Sequence, residues 1–146
     1  MIKPEFPKDQ VRIKQAGSVN KVFCIIRKKW LVLTPEEWVR QNILQFLLLQ
    51  KDYPASLIAV EKEIKLGELK KRADIVVYDR TSEPWMIIEC KEMNVNLSQK
   101  TIEQILRYHI SLPASFLIIS NGSYTFGFEK VEGRFMEINS FPDFKK

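Results

Sequence analysis

Residues 71–92, K-R-A-D-I-V-V-Y-D-R-T-S-E-P-W-M-I-I-E-C-K-E, decide how this chain is read. The stretch predicts two strands, about 71–78 and 85–91, joined by a polar turn over 79–84. Ile75–Val77 and Met86–Ile88 are apolar without alternation, the pattern of strands covered on both faces. A strand sends successive side chains to opposite faces. Glu89 and Lys91 therefore share a face, and Cys90, Ile88 and Met86 take the other. If the two strands pair as a hairpin, Asp74 comes to lie beside Glu89. Two carboxylates and an ammonium group in one small volume are costly unless a cation binds there. A divalent metal is the natural guest.

Outward from this stretch, the chain reads as one α/β domain. Residues 1–21 are expected to form an N-terminal arm, polar and proline-containing, with a short strand at Val11–Ile13. Val22–Ile26 and Trp30–Leu33 are apolar runs separated by Arg27-Lys28-Lys29. They read as a hairpin or as two extended pieces at the sheet edge, and the three cations as a solvated turn or a phosphate contact. Thr34 is an N-cap residue, Pro35 suits the first helical position and Glu37 completes a capping box. Val39, Ile43, Phe46 and Leu47 follow at helical spacing, widened by Leu44, Leu48 and Leu49, so a largely buried helix should run to about Lys51–Tyr53. Leu57–Ile64 predicts a strand with Glu61 and Glu63 in its polar register. A second helix is expected over Asn96–Ser111, capped by Asn96. There Gln104 and Tyr108, four apart, stand one above the other. Ser115–Ile119 predicts another strand, and Tyr124–Lys130 with Arg134–Ile138 a closing hairpin. From Thr34 the order is αβββαβ, a mixed sheet flanked by helices with extra edge strands. The domain should span 22–138, and the C-terminal tail, 139–146, should be loose.

Composition narrows the classes. A chain of 146 residues with 45% hydrophobic content suits a single domain with a real core. Its formal charge of +5 is compatible with nucleic acid without establishing it. Cys24 and Cys90 both sit in apolar runs, as reduced core thiols would. No apolar run approaches the roughly 18 residues of a membrane span, and the N-terminus has no apolar signal region, so a cytoplasmic protein is expected. The sequence has no G-x-x-x-x-G-K-[ST] phosphate loop and no length for a motor domain, so ATP-driven translocation is not expected of it.

Two carboxylates and a lysine on adjacent strand ends suit metal-assisted phosphodiester hydrolysis. Magnesium takes oxygen ligands and keeps several waters. Asp74 and Glu89 would supply side-chain oxygens and Cys90 its backbone carbonyl. Lys91 would orient the attacking water or neutralise developing charge. The bland alternative is a surface hairpin with a Glu–Lys pair. Context argues against it, because these charges follow strongly apolar runs. Lys71 and Arg72, with Lys70, read as a phosphate contact or as a solvated strand start. Arg40 could brace the site acids or pair with Glu36 or Glu37 on its own helix. His109 reads as a surface or partner-facing helical residue, not a catalytic one.

In series, K-R-A-D-I-V-V-Y-D (71–79), I-I-E-C-K-E (87–92) and Q-I-L-R-Y (104–108) resemble the PD-(D/E)XK nuclease superfamily. With T-P-E-E-W-V-R-Q (34–41) ahead of them, the chain resembles more closely the N-terminal domain of type I restriction enzyme R subunits, in a short stand-alone form, over roughly residues 22–122. The resemblance implies a restriction-endonuclease-like core with the site at the sheet edge, Mg2+ dependence with Mn2+ as a substitute, and duplex DNA as substrate. It makes Asp74 the metal-binding aspartate, Glu89 and Lys91 the paired acid and lysine, and Gln104 and Tyr108 contacts to DNA. It adds a helical glutamate, for which Glu36 and Glu37 both qualify. Implied partners are DNA, a second copy of the chain, or separate restriction, modification or helicase subunits. The contrasting expectation is a nuclease-fold module that binds DNA or protein without turnover.

Overall fold

The structure, a computed structural model, describes residues 1–4, 6 and 11–144; residues 5 and 7–10 of the expected arm and 145–146 of the tail lie outside it. Helix α1 (Pro35–Leu49) starts where Thr34 Oγ1 accepts the Glu37 N–H at 3.0 Å. Only this half of the expected capping box forms, because the Glu37 carboxylate instead accepts from Gln41 Nε2 at 3.0 Å. Val39, Ile43, Leu44, Phe46 and Leu47 are buried, and Leu49 at the helix end is half exposed.

Six strands form the main sheet: β4 (Ile58–Leu66), β5 (Leu69–Tyr78), β6 (Pro84–Cys90), β7 (Phe116–Ser120), β8 (Thr125–Val131) and β9 (Arg134–Ile138), in that spatial order. All neighbours are antiparallel except β6 and β7, which are parallel. A parallel pair needs a crossover, and helix α2 (Gln99–His109) supplies it. On one face α1 covers Ile75, Val77, Met86, Ile88 and Ile118; on the other, residues around α2 cover Val76, Ile87, Leu117 and Ile119. Central strands buried on both faces explain why these runs lack alternation. The expected mixed α/β sheet with flanking helices, a restriction-endonuclease-like core, is thus the observed architecture.

Three local expectations are corrected. First, α2 is capped by Ser98, not Asn96: the Ser98 hydroxyl accepts the Thr101 N–H, and Leu97 just before it turns into the same apolar cluster as Ile102. That pairing is a hydrophobic staple, which fixes the entry of the chain two residues later than Asn96 would. Second, the strand expected at Val11–Ile13 is β1 (Ile13–Ala16). It joins β2 (Val19–Cys24) and β3 (Lys29–Val32) in a separate three-stranded antiparallel sheet, not at the edge of the main one. Third, the tail is held, because Phe141 packs edge-on to Phe46 and the Tyr53 hydroxyl donates to the Pro142 carbonyl. Aromatic surface buried against aromatic surface outweighs the polar residues that made the tail look loose. Ile2, in the expected arm, is buried and bridges Thr125. Both cysteines are buried and free.

Candidate active site

β5 and β6 pair from Tyr78 and Pro84 to Ile75 and Ile88, and there the ladder stops. Asp74 and Glu89 are the first residues beyond the last pair. β6 continues alongside β7, through Cys90 and Ser120, while β5 continues alongside β4. The two strands therefore fork, and the backbone groups freed at the fork need partners. Asp74 supplies one: its Oδ2 accepts the Cys90 N–H at 2.7 Å. This ties the carboxylate across the opening and leaves Oδ1 free to face cations.

The other side of β5 is irregular at the same point. Val60 pairs with Ile75 and Lys62 with Ala73, but Glu61 and Asp74 between them do not pair. Glu61 has φ of +50°, in the left-handed region that few non-glycine residues occupy. The twist swaps faces. Val60 and Ile75 pack on the α1 side, while Ile64 and Ala73 pack on the α2 side, although regular alternation would keep them together. The swap turns Glu61 toward α1 and away from the solvent register expected for it.

Arg40 from α1 fills the space. Its side chain is 4% exposed and lies 3.1 Å from Glu61, 3.4 Å from Glu37, 3.5 Å from Asp74 and 3.6 Å from Glu36. Burial opposes its charge, but Glu37, Asp74 and Glu61 outweigh burial and hold its pKa above the ordinary value. Glu61 is also bound by Arg27 at 2.7 Å, and chiefly through that hydrogen bond its carboxyl is held down at about 2. Asp74 goes the other way. Burial, then the charge of Glu89, push it up to about 6 against the Cys90 N–H and Arg40. Arg40 thus offsets only part of the cost of ionising this buried acid beside Glu89.

On the α2 side, Glu89 Oε1 lies 3.6 Å from Lys91 Nζ and Oε2 lies 3.5 Å from His109 Nε2. A cleft of about 290 Å3 opens here, lined by Arg72, Glu89, Lys91, Gln104, Tyr108 and His109 among others. The expected residues fall into two groups. Glu89, Lys91, Gln104, Tyr108 and Arg72 share the cleft. Asp74, Glu36 and Glu37 do not line it, and meet around Arg40 behind the fork. Asp74 and Glu89 are close enough for their charges to act on each other. Lys71 is committed to α2, donating to the Tyr108 carbonyl and lying 4.4 Å from the centre of the Tyr108 ring. Of the two helical glutamates, Glu37 is buried, with its side chain 11% exposed, and Glu36 is 48% exposed, so it is not the inward one.

His109 is a correction. It is 2% exposed, not a surface residue, because α2 turns that side against the end of β6. Its Nδ1 is buried without a hydrogen-bond partner among the described residues. Glu61 and Arg27 were also missed. A register placing Val60 opposite Ile75 would have pointed to Glu61, but register is not readable from β4 alone.

Other charged hollows are already satisfied. A larger cavity, about 410 Å3, opens beside Trp85, Phe116 and Phe144, away from Asp74 and Glu89. Its Asp143 pairs with Lys51, its Asp79 accepts from Thr81 and Glu83 within its own turn, and its Lys130 donates to the Ile110 carbonyl. Among the described residues no three His, Cys, Asp or Glu side chains converge as a metal cage, and no helix is long and apolar enough to cross a membrane. No curated protein matches the chain. The family model described as type I restriction enzyme R protein N terminus matches residues 35–142, from the first turn of α1 to the packed tail, well over half of the chain. The chain belongs to the family of type I restriction enzyme R protein N-termini.

Proposed function

We propose that this protein is a divalent-metal-dependent endodeoxyribonuclease of the PD-(D/E)XK kind, hydrolysing phosphodiester bonds in duplex DNA. The observation that carries the reading is the fork. It sets Asp74 and Glu89 just past the last β5–β6 pair and puts Lys91, Gln104 and Tyr108 in the adjoining cleft. The donor set fits magnesium, with manganese as a substitute: a hard ion that keeps its waters needs only one or two carboxylates, not a closed cage. Asp74 and Glu89 would hold it, with the Cys90 carbonyl as a third oxygen. Burial first, then the charge of Glu89, holds the Asp74 carboxyl up, and a cation between the two acids would relieve the second of these. When bound, the ion supplies Lewis-acid polarisation of the phosphate and a more acidic water.

The chain's own groups do the rest. Lys91, 35% exposed beside Glu89, reaches solvent at the cleft mouth and can orient the attacking water or meet developing negative charge. Arg72 and the Lys71–Tyr108 corner offer positive charge to the flanking phosphates. Gln104 and Tyr108 offer an amide and a hydroxyl to the strand being cut. His109 braces the second oxygen of Glu89, so the carboxylate presents one oxygen outward. Glu37 and Glu36 act through Arg40, which holds Asp74. DNA and separate restriction or modification subunits are the partners this reading implies, and a second copy of the chain would be needed for a paired double-strand cut.

A second reading has its own observation. Arg40 already stands against Asp74. That suits a nuclease-fold module that binds DNA or protein without turnover. Plasmid nicking with Mg2+ or Mn2+ separates the two. We expect nicking by the wild type and loss of about 10²-fold or more in Asp74→Asn and Lys91→Ala. Unchanged nicking in both variants refutes the assignment. DNA binding without nicking under either ion gives the second reading.

A further inference from the structure

The small sheet β1–β3 lies ahead of the residues that match the family, and its charge is unlike that of the rest of the chain. Residues 11–33 hold six of the 23 cations (Arg12, Lys14, Lys21, Arg27, Lys28 and Lys29) and none of the 18 acids. The segment thus carries +6, while the remainder carries 17 cations against 18 acids, so all of the net positive charge is here.

The register sorts these cations by face. Lys14 pairs with Lys21, Lys21 with Val32 and Phe23 with Trp30; the Phe23 N–H donates to the Arg12 carbonyl. Arg12, Lys14, Lys21, Phe23 and Trp30 therefore share one face, while Val22 and Cys24, fully buried, take the other. The face is arranged for anions. Lys14 directly opposite Lys21 is a like-charge pair, which costs stability in an antiparallel ladder. Among the described residues no acid forms an ion pair with Arg12, Lys14 or Lys21. The Arg12 guanidinium lies 4.8 Å from the Phe23 ring and 5.5 Å from the Trp30 ring, and Lys14 Nζ lies 4.3 Å from the Trp30 ring. Cation–π contacts of this kind hold the charged groups in place before a ligand arrives.

We infer that this face is a sequence-independent docking surface for the phosphate backbone of duplex DNA, separate from the α2 cleft. The rings are already covered by cations, which disfavours stacking with unpaired bases and favours backbone contact. The small sheet is also tied to the fork through its turn. Arg27, in the turn between β2 and β3, binds Glu61, which binds Arg40 beside Asp74. The choice of DNA over other polyanions rests on the proposed nuclease reading.

The test is equilibrium binding of a short blunt duplex in EDTA, where nothing is cut, over a salt series. The wild type is compared with Lys21→Gln and with the triple variant Arg12→Gln/Lys14→Gln/Lys21→Gln. Each phosphate contact contributes about 0.9 to the slope of log K against log salt. Lys21→Gln is expected to flatten the slope by about 0.9 and the triple variant by up to about 2.7, equally on two unrelated sequences. The melting temperature of Lys21→Gln should hold or rise, since the Lys14–Lys21 repulsion is removed, while the triple variant, which also loses the Arg12 and Lys14 ring contacts, should melt somewhat lower. Unchanged slope and affinity in folded variants overturn the inference. So does loss on one sequence only, or loss of binding to heparin or phosphatidylserine vesicles with duplex binding intact. A wild type that shows these slopes but never nicks with Mg2+ or Mn2+ sinks the nuclease reading and leaves this face standing.

Discussion

Arg40→Met is the most informative single change at the fork. Methionine keeps much of the length and apolar contact of the arginine stem but removes the cation from among four carboxylates 3.1–3.6 Å away. Exposed ion pairs contribute little, so Glu36 adds only a small part. Glu37, Asp74 and Glu61 are more enclosed, and removing one partner of a buried pair typically costs about 3–5 kcal/mol, since the remaining charge stays uncompensated. Taking about 3 kcal/mol, and a urea dependence of about 2 kcal/mol/M, the unfolding midpoint should fall by roughly 1.5 M. The deficit should depend on pH with a definite sign. The variant's acids are penalised only when ionised, so the gap to wild type should be widest near neutral pH and narrow as pH falls toward 4. Millimolar Mg2+ or Ca2+ should return part of the loss, because a divalent ion can replace the missing guanidinium. Urea denaturation of both proteins at two pH values, with and without metal, reads all three effects. A midpoint within about 0.3 M of wild type at neutral pH would refute the idea that Arg40 neutralises this cluster. A deficit that divalent ions leave untouched would refute its link to a metal position.

Two further outcomes are expected. Asp74 is raised to about 6 from an ordinary carboxyl value, so the folded apo-protein holds a proton that the unfolded chain has released. Its contribution to stability is therefore full below the ordinary carboxyl pKa and is lost as pH rises through about 6. Protons should compete with metal below that pH. Calorimetric Mn2+ affinity should weaken by up to about tenfold per pH unit between 6 and 5, whereas an affinity flat over that range would remove Asp74 from the ligand set. Glu37→Gln should lower stability by about 1–3 kcal/mol because a buried charged partner of Arg40 is lost, while Glu36→Gln, half exposed, should stay within about 0.5 kcal/mol. Thermal unfolding of the two variants checks the order, and an equal effect would mean that burial does not distinguish them.

Most of the elements were legible in the chain because their cues are local. The 3.6-residue stripe of Val39, Ile43, Phe46 and Leu47 needs no knowledge of what it packs against. The unbroken apolar runs of β5 and β6 already require cover on both faces, and the helices provide it. Where local cues compete, they misplaced boundaries: Asn96 and Ser98 are both acceptable caps, and the burial of Leu97 chose between them. The basic run Arg27-Lys28-Lys29 read as one unit, yet its first member is bound to Glu61 and belongs with the fork.

Local patterning in the chain was enough for the α/β class, the order of helices and strands, and the presence of an aspartate within one buried strand and an acid–lysine pair at the end of the next. These follow from periodicities of two and 3.6 residues, which are properties of neighbours along the chain. Long-range packing sets the rest: Glu61 turns inward, Arg40 stands among four carboxylates, and His109 backs Glu89 instead of facing solvent. The same packing decides that the first strands form a sheet of their own with its cations on one face. Each of these depends on which strand lies opposite which, and on a twist at Glu61 that exchanges the two faces of β4 and β5, so no stretch of neighbouring residues contains the answer.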